Sequence, residues 1–174
     1  MDVFDIALDV IDLRSFSNLW YWIALAVLWS SVSHWVLGVP HDMVQRARRE
    51  GGQALADVED LVRINVGRLL TLVDGGALIM VGIAGFWLST LAVLAFYYDV
   101  EFAKAVFLLV APLVVVLWAS VVECRRIVGG ANRGEALLRR LTVHRRLVQV
   151  IGIFSIAVTA FYGTWLNISV SILN

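Results

Sequence analysis

Few side chains in this 174-residue chain could hold a metal or a tetrapyrrole: His34, His41, His144 and the single Cys124. Imidazoles from two helices can ligate haem iron or chlorophyll magnesium, and an imidazole with a thiolate can hold zinc. Ser30 and Gly38 flank His34 at four residues on either side, the small neighbours a macrocycle needs. His34 and His144 are therefore the candidate cofactor-binding residues, for a haem or a chlorophyll-type pigment. A plainer reading stands beside this one, in which His34 bonds a carbonyl or Ser30 and His41, after Pro40, sits in a loop. No metal site is expected, because one cysteine makes no disulfide, cluster cage or zinc knuckle. The chain has no P-loop, HExxH, GxSxG or paired-carboxylate pattern. It is expected to be no enzyme and to carry no catalytic residue.

The elements that position these residues follow from composition. Hydrophobic residues make up 60% of the chain and charged ones 16%, with a mean hydropathy of +0.83. Soluble domains run near 45–50% apolar and 25% charged. A soluble enzyme and a nucleic-acid-binding module are thereby excluded. A hydrocarbon core of about 30 Å takes roughly 20 apolar residues in a helix. Four stretches qualify, 18–39, 75–98, 105–122 and 147–168, and none contains Lys, Arg, Asp or Glu. They lack the two-residue alternation of barrel strands, and lipid leaves no other fold than helix for such runs. The expectation is an all-α membrane protein with four transmembrane helices, residues 1–174 forming a single domain.

Arginine sets the orientation. The 40–74 segment holds five Arg and the 123–146 segment seven, while only Arg14 and Lys104 lie elsewhere. Both Arg-rich segments are expected in the cytoplasm, and both termini in the periplasm. Trp20, Tyr21, Trp22, Tyr97, Tyr98, Tyr162 and Trp165 fall at the outer boundary, and Trp35 and Trp118 near the inner one, as an aromatic belt should. Arg46, Arg48, Arg49, Arg125, Arg126, Arg139, Arg140, Arg145 and Arg146 are then topology determinants that also meet anionic lipid heads. Nucleic acid is not an expected partner, because no aromatic residue is interleaved with these Arg and the first segment holds more acids than Arg.

Residues 1–14 predict a periplasmic interfacial helix. Asp2, Asp5, Asp9 and Asp12 gather within about 80° of a helical wheel, opposite Phe4, Ile6, Val10, Ile11 and Leu13. The second and fourth spans are expected to continue into the cytoplasm as helices. Leu55, Val58, Val62, Asn65, Leu69 and Leu72 form one short seam, and Leu137, Leu141, His144, Val148 and Ile151 another. If these extensions pack on each other, Asn65 and His144 could face each other as a buried polar pair. Gly152, Ser155, Thr159, Gly163 and Asn167 share one face of the fourth span, a surface for close helix packing. Gly82, Gly85 and Ser89 make a smaller set in the second.

The run Ile11–Trp22, with Ser33-His34-Trp35-Val36-Leu37-Gly38-Val39-Pro40 and Met43–Arg49, resembles a family of small polytopic membrane proteins. The likeness continues more weakly through Asp57–Asn65. These proteins belong to alphaproteobacteria of the Rhodobacter and Roseobacter type, and are often labelled "component of SufBCD complex". The resemblance implies that lineage and an inner-membrane location, and it brings no catalytic residue. Together the readings favour a non-catalytic accessory subunit or assembly factor of a bacterial inner-membrane complex, respiratory or photosynthetic. Its partners would be membrane lipids and other membrane subunits, or further copies of itself. A homo-oligomeric channel or small transporter is the alternative, and a haem, pigment or metal carrier using the cytoplasmic-side His a third reading.

Overall fold

The computed structural model describes Phe16 and residues 18–130 and 132–172. The expected interfacial helix over 1–14 lies outside the described residues. Helix α1 covers Leu19–His34, with the Asn18 carboxamide oxygen accepting from the Trp20 amide at 3.0 Å to cap it. A two-residue hairpin follows, β1 (Trp35–Val36) antiparallel to β2 (Val39–Pro40). Helix α2 is His41–Glu50, α3 is Gly52–Phe96, α4 is Glu101–Val128 and α5 is Gly134–Ile172.

Among the described residues three helices are long and apolar enough to cross a membrane, α3, α4 and the Gly134–Leu166 part of α5. The fourth crossing expected over 18–39 is cut short. At 1.5 Å per residue the 16 residues of α1 reach about 24 Å, below a 30 Å hydrocarbon core. Backbone geometry is the reason. Leu37 and Gly38 both take left-handed conformations, φ +53° and +73°, which is the two-residue turn that closes a tight hairpin. Pro40 next to it offers no amide to a continuing helix. An apolar count passes over this turn because Leu37 and Val39 read as membrane residues.

Gly38 is fixed by more than its dihedral angle. A Cβ there would lie 2.6 Å from Asn65 Nδ2, and that nitrogen donates to the Gly38 carbonyl at 3.2 Å. The hairpin is thereby tied to α3. Helix α3 itself is helical throughout except at Gly76, φ −140° and ψ 16°, where the Asp74-Gly75-Gly76 junction breaks its polar part from its apolar part. Pro112 is accommodated inside α4.

Side chains pack into two cores. At the Arg-rich end, Val39, Val44, Val58, Val62, Cys124, Leu137 and Leu141 come together from β2 and helices α2 to α5. Burying each Leu or Val contributes roughly 1.5–3 kcal/mol where water would otherwise reach it. Nearer the middle, Leu25, Trp29, Val116 and Val148 join α1, α4 and α5. Helix α5 runs antiparallel to both α1 and α4 and touches them along its length. Helix α3 leans mainly on α4 and α2. The second and fourth apolar stretches do continue as helices past the apolar boundary, and their polar ends meet where Glu59 accepts from the Gly134 amide at 2.7 Å.

Candidate functional site

The Arg-rich end carries most of the polar chemistry. His144 is buried on α5, its Nε2 3.1 Å from Ser120 Oγ on α4. That hydroxyl donates to the Val116 carbonyl at 2.8 Å, so its lone pair accepts and the imidazole supplies the Nε2 proton. His34 is exposed on α1, its ring edge-on to Trp35 at 6.0 Å between centroids. The two candidate ligands thus occupy different settings, one inside the helix bundle and one on its outside. Asn65 and His144 do not pair. Asn65 bonds the Gly38 carbonyl and His144 bonds Ser120.

Cys124 is buried in the same core. Burial, and then the neighbouring Glu123 carboxylate, push its thiol up to about 11, so it is a packed apolar group rather than a nucleophile. Burial and the positive charge of Arg145 hold the His41 imidazole below its ordinary range. Among the described residues no three His, Cys, Asp or Glu stand close enough to hold a metal ion. Asp57 accepts from Gln53 at 2.8 Å and Asp60 pairs with Arg63 at 3.1 Å, so both are engaged locally on α3.

The arginines divide by partner. Glu123, largely buried, accepts from Arg140 at 3.1 Å and meets Arg126 at 3.6 Å, joining α4 to α5. Arg125 meets Asp74 at 3.3 Å and Arg48 meets Glu135 at 3.3 Å, while Arg46 pairs within α2 with Glu50. Arg49, Arg139 and Arg146 make no ion pair among the described residues, and Arg145 spends its Nε on the Ser33 carbonyl at 3.1 Å. The Glu123 cluster escapes sequence reading because Arg140 is 17 positions away and only the α4–α5 turn brings it back.

The small-residue face of α5 points into the protein. A Cβ on Gly152 would lie 2.7 Å from the Trp29 ring, and one on Gly163 would lie 3.0 Å from Phe16. Ser155 Oγ donates to the Leu108 carbonyl at 3.5 Å and Thr159 is fully buried. The side chain of Asn167, the last of this set, lies outside the described residues. Gly82 and Gly85 on α3 behave in the opposite way, since a Cβ on either would meet nothing within 4 Å. Around them Leu78, Ile79, Val81, Ile83, Phe86 and Trp87 are all exposed, Leu78 at 87%. No residue in the most apolar window of α3 is buried within the chain. Compared with known proteins, the chain matches no family model, no curated protein and no solved structure.

Proposed function

We propose that this chain is a non-catalytic accessory subunit or assembly factor of a larger bacterial inner-membrane complex, respiratory or photosynthetic in kind, acting through lateral helix packing. The observation that carries the reading is the uncovered apolar half of α3. Its sides are apolar, it leans on the rest of the chain mainly through α4, and its glycines are open to close approach. Small residues let another helix come near enough for dispersion and weak hydrogen bonds to act, which lipid tails do less well. The face of α5 with the same composition is filled by Trp29 and Phe16, so the chain has completed one such contact internally and left one open.

In this reading α1 makes a fourth crossing with local thinning of the bilayer, which costs fractions of a kcal/mol per Å of mismatch. The Arg-rich end then faces the cytoplasm and both termini the periplasm. The test is photo-crosslinking in native membranes, with a benzophenone amino acid at Ile79 or Phe86 on α3 and at Ala103, which is buried, as the control. Ile79 and Phe86 are expected to capture one unlike chain reproducibly, and Ala103 to capture none. Capture of lipid alone sinks the proposal. Capture of a second copy alone moves the assignment to a homo-oligomeric channel or transporter.

A further inference from the structure

Where α2 meets α5 there is a polar notch of about 250 Å³ with no carboxylate in its wall. Arg48, Arg145 and Arg146 line it with His41, Thr142 and Gln149. Among the described residues Arg146 has no ion-pair partner, Arg145 bonds only a backbone oxygen, and Arg48 shares itself between Glu135 and the Thr142 hydroxyl at 3.5 Å. Burial, and then the positive charge of Arg145, hold the His41 imidazole below its ordinary range. Immediately adjacent, α1 and α5 enclose a mainly apolar groove of about 480 Å³, lined by Trp29, Ser30, Ser33, Val148, Gly152 and Ile153. Gln149 lines both, and Ser33 joins them, its carbonyl held by Arg145. Along α5 the notch takes residues 142–149 and the groove 148–156, so the groove runs from the notch into the fourth apolar stretch.

We infer that notch and groove together bind one anionic glycerophospholipid, phosphate in the notch and an acyl chain in the groove. Three guanidinium groups without a carboxylate in the wall suit a phosphate diester, which arginine can grip with two parallel hydrogen bonds. The apolar groove then sets this site apart from a diffuse basic surface, because it selects a phosphate that carries a tail. Arg139, equally cationic and without an ion pair among the described residues, precedes the notch on α5 and lines neither compartment. The inference is independent of the proposed accessory role, since it concerns α1, α2 and α5 and leaves the open face of α3 untouched.

The experiment is native mass spectrometry of the full chain in a neutral detergent, titrated with phosphatidylglycerol or with phosphatidylcholine of the same chains. Phosphatidylglycerol is expected to bind as one retained molecule, about tenfold or more tighter than phosphatidylcholine. The double variant Arg145→Gln/Arg146→Gln abolishes that preference, whereas Arg133→Gln/Arg139→Gln, with the same charge change outside the notch, retains it. Ser30→Phe fills the groove with every arginine in place and loses the retained lipid as well, which decides the matter if the first variant folds poorly. Equal binding of the two lipids, equal loss in both arginine pairs, or unchanged binding in Ser30→Phe overturns the inference. Displacement of the lipid by millimolar inorganic phosphate overturns it too, in favour of a soluble anion.

Discussion

Glycine carries opposite meanings at two places in this protein. At Gly152 the helix backbone is pressed against the Trp29 ring, and at Gly85 it is open. Gly152→Leu is therefore expected to force α1 from α5 and cost about 1–3 kcal/mol, the usual penalty of overfilling a packed site. Gly85→Leu should leave the purified chain as stable as the wild type, and the two are compared by thermal unfolding in detergent. Cys124 gives a second measurement at this scale. A thiol that ionises near 11 rather than 9 should react with maleimide at pH 8 about a hundredfold more slowly than an exposed one, and at the ordinary rate once the chain is unfolded. The same shift has a sign for stability. Between pH 9 and 11 the unfolded thiol has lost its proton while the folded one keeps it, so the contribution is full below pH 9 and is lost as pH rises through that window. Unfolding at pH 8 and pH 10 should differ less in Cys124→Ala than in the wild type.

Between elements, the Glu123 cluster joins α4 to α5 at the Arg-rich end. Arg140→Gln removes the closer of two cations from a largely buried carboxylate and is expected to destabilise by about 2 kcal/mol, as unmaking a charged hydrogen bond does. Adding Glu123→Gln should recover part of that loss, because the uncompensated charge goes with it. An additive double variant in chemical unfolding contradicts the arrangement. Elements of this kind were unequally legible. The apolar stretches 75–98, 105–122 and 147–168 have a simple physical signature, length without charge, and each lies on α3, α4 or α5, with only the last residues, 97–98, beyond the end of α3. The 18–39 stretch carries the same signature, yet its end is decided by the backbone of Leu37 and Gly38 and the Asn65 bond, none of which hydropathy records. The seam expected on α3 meets the core in part: Val58 and Val62 are buried, and Leu55 and Leu69 pack against the same cluster. Ala54, Val58, Val62 and Val66 are the buried positions, four apart, while Leu72 is 65% exposed.

At the scale of the molecule, the chain has a well-joined side and an open one. Helices α1, α4 and α5 are held by interlocking small and aromatic residues, Trp29 on Gly152, Phe16 on Gly163, and Tyr21 donating to the Ala105 carbonyl. Helix α3 projects its apolar half beside them with its glycines uncovered. Which small-residue face turns inward could not be read from composition, because Gly82 and Gly152 sit in similar apolar surroundings and differ only in what the fold places opposite. The accessory-subunit reading depends on that asymmetry. It is tested most directly by purifying the tagged chain from its native membrane in mild detergent and identifying its companions by mass spectrometry. The expected result is one or more unlike membrane chains in near-equal amount, lost when Gly82→Leu/Gly85→Leu fills the open face. A clean homo-oligomer, or companions retained unchanged by that variant, contradicts it.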